Sequence, residues 1–286
     1  MGVFVSVGVE LIRRKERLIV DEIITSSNNP TIKQLKSLHK KKYRDMYSLY
    51  FAEGLKLAKE ALAINYPIHT LVYSKDFPIE DLELDLKNRS VQTICVESNV
   101  FKQLSDLETP QGIMAILRKK TSSPDVIFQQ GRGLWVVLDR IQDPGNMGTI
   151  IRTIDAAGGK GVVVLKGCVD PFNPKTVRAT MGSIFRVPIV DIQNSNDFFE
   201  RLTGNKADIL ISSMEGTNVF NWHSSKVDTI KALVIGNESQ GINSEIRKFA
   251  TDTVSVPIVG GAESLNASVA AGIMIYEMMR KEGTLG

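Results

Sequence analysis

The sequence predicts an α/β protein in two unequal parts, and three observations carry that prediction. The chain is 286 residues long, enough for about two domains at roughly 150 residues each. Its grain changes after residue 132: short β-branched segments then alternate with helical stretches. Those segments are apolar at consecutive positions, as strands buried on both faces of a parallel sheet must be. With 43% hydrophobic and 23% charged residues the composition is globular, which excludes a wholly disordered, collagen-like or coiled-coil chain.

Residues 1–23 fit poorly with the segment after them and read as a loose arm. Residues 24–118 read as one small α/β sandwich. In ITSSNNPTIKQLKSLHKKK the turn and cap residues Ser26, Ser27, Asn28, Asn29 and Pro30 open a helix, and Ile32, Leu35 and Leu38 recur at helical spacing. SLYFAEGLKLAKEALAINYP passes from a strand into a helix carrying Leu55, Leu57, Ala58, Ala61 and Leu62, and HTLVYS, TICVES and GIMAILRK read as further strands. Residues 119–132, with Ser122, Ser123, Pro124 and Gly131, read as a linker. In residues 133–286 the strands are GLWVVLDRI, GKGVVVLKG, KADILISSM, ALVIGNES and DTVSVPIVG. The helices between and after them are NMGTIIRTIDAAGG, PKTVRATMGSIFR, SNDFFERLTG, SEIRKFA and LNASVAAGIMIYEMMRK.

Several function classes lose their usual signals. Two cysteines, Cys95 and Cys168, exclude a disulfide framework, and three scattered histidines match no metal spacing, so no metal is expected. No apolar run reaches the roughly 18–20 residues of a membrane span, and the first residues lack the order of a secretory signal; a cytoplasmic protein is expected. No glycine fingerprint of a dinucleotide site, no phosphate-binding loop and no G-x-S-x-G elbow is present. The net charge of +3 permits a polyanionic partner.

Ligands of open α/β sheets bind beyond the carboxyl ends of the strands. Three such ends are polar and glycine-rich here: LDRIQDPGNMGTIIRTIDAAG, then LVIGNESQGI, then VSVPIVGGAESLNASVAAGIMIYE. A single loop of this kind is most simply a turn; three in one sheet are not explained by turns alone. In this order and spacing they resemble the three signature motifs of the SpoU (TrmH) family, RNA ribose 2′-O-methyltransferases of the SPOUT class. The resemblance covers residues 134–281, and NPTIKQLKSL, FAEGLKL and TPQGIMAIL resemble the family's N-terminal substrate-binding domain.

The resemblance implies a SPOUT domain with a deep trefoil knot, preceded by a smaller ribosomal-protein-like module that binds RNA. It implies S-adenosyl-L-methionine as cofactor and assembly as a homodimer, for which Met274, Met278 and Met279 of the last helix offer adaptable side chains. Gly236, Val256 and Leu265 match the family's cofactor-contacting positions; Val256 stands where the family often has Ile, and Pro257 is followed by Ile258 in place of Met, both apolar changes. Arg152 and Asn146 match the polar pair of the first motif, Glu238 belongs to the second, and Ser264 and Asn266 to the third.

Methyl transfer to a ribose oxygen builds negative charge there, and Arg152 is expected to stabilise it, with Asn146 fixing the loop or orienting Arg152. Structural roles compete: a turn for Asn146, a helix N-cap for Ser264, and a brace between loops for Glu238. Lys40, Lys41, Lys42 and Arg44, interleaved with Tyr43 and Tyr47, suit RNA phosphates and stacked bases, and Arg178, like Arg186, could reach RNA from its helix. The expected substrate is structured RNA, large-subunit rRNA ahead of tRNA. A non-catalytic RNA-binding protein on the same fold and a Rossmann-type nucleotide enzyme are the rivals.

Overall fold

The structure is a computed structural model and describes residues 23–82, 91–224, 228–237 and 239–284. Nearly all of the arm expected at residues 1–23, and Glu238, lie outside these residues. In the N-terminal unit the Asn29 side chain accepts from the Thr31 amide and caps α1 (Pro30–Ser37), whose first turn holds Pro30. The chain continues through α2 (Lys41–Tyr47), β1 (Leu49–Glu53), α3 (Leu55–Ala63), β2 (Ile68–Ser74), β3 (Gln92–Val96), α4 (Ser98–Leu104) and β4 (Ile113–Arg118). The strands lie in the order β1-β4-β2-β3, with β2 and β3 parallel and the other pairs antiparallel.

The C-terminal unit contains β5 (Gly133–Leu138), α6 (Pro144–Ala156), β6 (Gly161–Leu165), α7 (Pro174–Ala179), β7 (Ile189–Ile192), α8 (Ser195–Gly204), β8 (Asp208–Asn218), β9 (Ile230–Ile235), α9 (Ser244–Arg247), β10 (Asp252–Ser255) and α10 (Ala267–Lys281). Its six strands run β10-β8-β9-β5-β6-β7 and every pairing is parallel. Leu134, Val136 and Leu138 of β5 enter one core, and Trp135 and Val137 enter another on the opposite face. That double burial is why the strand reads as an unbroken apolar run. β7 is a strand the sequence reading lacked; it is four residues long with an exposed Asp191 in its middle.

Residues 119–132 are not a free tether. They carry a short helix, α5 (Asp125–Gln130), whose Ile127 is fully buried in the second core, and Ser122 bridges to Val190 beside β7.

One core joins the two units. Tyr50, Ala52, Leu71 and Leu117 belong to the same apolar cluster as Val136, Ile150, Phe172 and Phe185. Two ring pairs cross the seam, Tyr50 with Phe172 and Tyr66 with Phe185, each with centroids 5.0 Å apart. Arg44 and Asp170 form a buried ion pair across it, 2.7 Å between Nη2 and Oδ2, and Arg186 pairs with both Glu60 on α3 and Asp155 on α6.

Helices α6 and α7 pack closely because position 148 is glycine. A Cβ there would lie 2.5 Å from the Ala179 Cβ and 2.8 Å from the Thr176 carbonyl oxygen. The obstacle includes backbone, so the helices would have to part. Gly148→Ala is expected to lose about 1–3 kcal/mol, the usual range for overpacking, measurable by urea unfolding. An unchanged midpoint would mean that the two helices separate freely.

Candidate active site

The loops after β5 and β9, adjacent strands, and the loop between β10 and α10 hold the three motifs. The first begins at Asp143, the N-cap of α6, whose Oδ1 accepts from the Asn146 amide at 2.7 Å, with Pro144 in the first turn. Met147, Gly148, Ile150, Ile151 and Ile154 form the buried side of α6 and leave Arg152 exposed. The Arg152 side chain makes no hydrogen bond or ion pair among the described residues. It lies six residues beyond Asn146, about 9 Å along the axis.

Among the described residues no bond joins Asn146 to Arg152. The Asn146 Oδ1 accepts from Asn266 Nδ2 at 2.9 Å, so the first and third motifs meet side chain to side chain. Asn266 is also the N-cap of α10, where its Oδ1 accepts from the amides of Ser268 and Val269 and from the Ser268 hydroxyl. The cap expected as a rival role for Ser264 thus belongs to Asn266. Ser264 is exposed two residues earlier, outside the cap. The geometry makes Asn266 a brace between α10 and α6.

Gly236 ends β9. A Cβ there would stand 2.6 Å from the carbonyl carbon of Gly241, so its close approach is to the far side of its own loop. Val256 and Leu265 are half-buried, and Val256 packs on the shared core. The space where Gly260 and Gly261 lack a Cβ is open. Accessible glycine backbone beside half-buried aliphatic side chains fits an adenosyl group, whose ring needs apolar faces and whose edge needs peptide groups. Cys168 is no competing nucleophile: burial pushes its thiol up to about 11, and its Sγ–H donates to the Leu138 carbonyl at 3.2 Å.

The basic run divides. Lys40, Lys41 and Lys42 are exposed; Lys41 pairs with Asp45 at 2.6 Å, and Lys42 lies 5.9 Å from the centre of the Tyr43 ring, which stacks on Tyr47. Arg44 is unavailable to RNA. It is 2% exposed, and besides Asp170 its guanidinium donates to the Leu38 and His39 carbonyls at 2.8 Å each. Arg178 is half-buried on α7 near Glu53 of β1, whose carboxyl is raised by burial against the pull of the Ser105 hydroxyl and the Arg178 charge. Arg186, held by two carboxylates, is spoken for at the seam.

Two residues of the first motif's strand end escaped the sequence reading. Asp139 is buried, and Arg140 beside it reaches across to the loop after β9. The available signal was a charged pair placed directly after a fully apolar strand. Among the described residues no group of three or more His, Cys, Asp or Glu side chains could hold a metal ion, and no helix is long and apolar enough to cross a membrane.

Residues 133–276 match the model of the SpoU rRNA Methylase family, and residues 29–115 match the MRM3-like substrate binding domain. The 23S rRNA (guanosine(2553)-2′-O)-methyltransferase RlmP of Bacillus subtilis is 32% identical over 256 residues, covering 89% of this chain and 98% of that protein. The human mitochondrial rRNA methyltransferase 3 is 28% identical over 84% of this chain and 69% of its own length. Among solved structures, an AdoMet-bound rRNA methyltransferase from Sinorhizobium meliloti superposes with a TM-score of 0.80 at 34% identity, covering 91% of this chain and 97% of that one. The SpoU methyltransferase AviRb from Streptomyces viridochromogenes, solved with AdoMet, gives 0.79 at 27% identity over 90% and 99% of the two chains. Matched along its three motif loops and over nearly its whole length, the chain belongs to the SpoU rRNA methylase family.

Proposed function

We infer that the protein is an RNA 2′-O-methyltransferase that uses S-adenosyl-L-methionine to methylate a ribose of large-subunit rRNA, and that it works in the cytoplasm as a homodimer. The observation that carries this reading is the joining of the motifs: Asn266 to Asn146 at 2.9 Å, with the uncommitted Arg152 on the same helix as Asn146.

S-adenosyl-L-methionine supplies a methyl group on a sulfonium, open to in-line attack. Gly236, Val256 and Leu265 would hold it through backbone groups and aliphatic faces. As the hydroxyl proton leaves to phosphate or water, negative charge grows on the ribose oxygen, and Arg152 would face that charge; it is discharged as the oxygen bonds to the methyl carbon and the carbon–sulfur bond breaks. The Arg152 guanidinium is effectively never deprotonated, so it positions the substrate and stabilises the oxyanion rather than acting as a base. Ser264, exposed in the third motif, would contact the substrate, and Glu238 of the second motif, outside the described residues, keeps its expected role. Lys40, Lys42 and the Tyr43–Tyr47 stack, with Arg178 nearer the seam, suit an RNA strand. The deep trefoil knot belongs to the same reading. Mapping 2′-O-methylated positions in total RNA with and without the gene tests it. Loss of one large-subunit position is expected; an unchanged map, or loss confined to tRNA, would overturn the assigned substrate.

The dimer cannot use the methionines first expected to form it. Met274, Met278 and Met279 are at most 4% exposed, inside their own subunit's core. The other side of α10 is a better candidate: Val269 and Tyr276 are exposed, Ile273 is half-buried between them, and Phe220 joins them across a shallow cavity. Ile273→Glu would desolvate a carboxylate in such an interface. A dimer for the wild type and a monomer for this variant are expected in sedimentation at micromolar concentration. A monomeric wild type would reject the dimer.

A further inference from the structure

The loop that carries the second motif owes its shape to two residues of the first. Asp139 follows β5 directly, and its carboxylate is buried. Oδ2 accepts from the Asn243 amide at 2.8 Å, while both carboxylate oxygens accept from the Arg140 guanidinium at 3.2 and 3.3 Å. Arg140 has a left-handed backbone, φ 56°, which turns its side chain back over its own neighbour. Gly167 leaves it room, since a Cβ there would stand 3.0 Å from Arg140 Cγ.

From that position Arg140 grips the loop after β9 at both ends. Its carbonyl accepts from Asn237 Nδ2 at 3.1 Å, Nη1 donates to Gln240 Oε1 at 2.8 Å, and Nη2 donates to the Gly241 carbonyl at 3.1 Å. Asn237 Oδ1 in turn accepts from the amides of Ser239 and Gln240. The grip ends where Gly241 lies against Gly236. A point-charge ammonium cannot reach these separated acceptors together; the planar fork of arginine can.

We propose that Asp139 and Arg140 are positioning residues for the methyl donor: by holding Asn237, Gln240 and Gly241 they keep Gly236 in the form that receives the cofactor, and they touch neither cofactor nor RNA. The proposal rests on the placement of the cofactor against Gly236, Val256 and Leu265. It separates this pair from Arg152, whose loss acts on turnover.

Calorimetric titration of S-adenosyl-L-methionine into the full chain tests it. Arg140→Lys is expected to weaken binding about tenfold, the effect of losing one hydrogen bond to a charged group. Gln240→Ala, which alters an exposed side chain, is expected to weaken it about threefold, as loss of a more exposed bond should. The double variant should bind no worse than Arg140→Lys alone, because both changes break the same contact. With RNA present, KM for the cofactor should rise while kcat at saturating cofactor and KM for RNA stay put. Unchanged affinity in a folded Arg140→Lys protein overturns the proposal, as does reduced kcat with unchanged affinity. If Arg140→Lys does not fold, unchanged affinity in Gln240→Ala overturns it by itself. A wild type that binds no S-adenosyl-L-methionine would instead strike the methyltransferase reading.

Discussion

Arg152→Lys and Arg152→Ala are both expected to lower the rate of methyl transfer by roughly 100- to 1,000-fold, the usual cost of one lost donor to a developing oxyanion. Arg152 is exposed on α6 and its side chain makes no bond among the described residues, so truncating it breaks no side-chain contact there. On the proposed reading its work would be confined to the moment when charge grows on the ribose oxygen, and an interaction made mainly in the transition state lowers turnover and leaves cofactor affinity alone. Lysine retains the charge but loses the planar fork that would grip phosphate and alkoxide together, so it should not rescue the rate. Asn146→Ala should be milder and different in kind. It removes the bond to Asn266 that ties α6 to α10. Single-turnover methylation of the target RNA, beside calorimetry with the cofactor, separates these effects. An Arg152 variant that keeps more than about a tenth of the wild-type rate, outside that range of losses, would remove Arg152 from the chemistry. A collapse of cofactor affinity would move it into the cofactor pocket.

The parallel sheet was legible because its strands are buried on both faces. Val136 and Val137 point into different cores, and nothing polar interrupts the run. β7 escaped because Asp191 breaks a four-residue stretch. The buried stripe of α10, Ala267, Ala271, Met274, Ile275 and Met278, has plain helical spacing, so its methionines could have been assigned to the subunit's own core from the sequence. The cap of α10 could not be settled in the same way. Ser264 and Asn266 are both good N-cap residues two positions apart, and the choice follows from where Asn146 stands, 120 residues earlier in the chain. The Asp139–Arg140 grip is equally invisible, since its partners lie about a hundred residues downstream. Local pattern reveals which face of an element is apolar; it does not reveal which distant polar group will meet it.

Arg44 is the sharpest case, and it carries the largest expected effect on stability: Asp170→Ala should destabilise the protein by about 3–5 kcal/mol. In sequence Arg44 ends a run of lysines and invites an RNA role. In the structure it is 2% exposed, its Nε and Nη2 both donate to Asp170 Oδ2, and its Nη1 takes the Leu38 and His39 carbonyls. Asp170 Oδ1 accepts from the Phe172 amide, so the pair also shapes the turn that delivers Phe172 to Tyr50. Removing either partner leaves the other buried and uncompensated, which costs far more than the pair contributes when intact. Arg44→Ala should therefore be comparably damaging, and the double alanine variant should lose clearly less than the sum of the two single losses. Urea unfolding of the full chain measures all three. If Arg44→Ala kept wild-type stability and lost only affinity for RNA, Arg44 would be an RNA contact after all. The same seam bears on how far the C-terminal unit stands alone. Cutting the chain to residues 131–286 would strip Phe172, Ile184 and Phe185 of the apolar neighbours they share with Tyr50 and Tyr66, and would leave Asp170 without its cation. The fragment is thus expected to unfold at lower urea than the full chain, and to methylate RNA poorly through lost stability as well as lost substrate contacts.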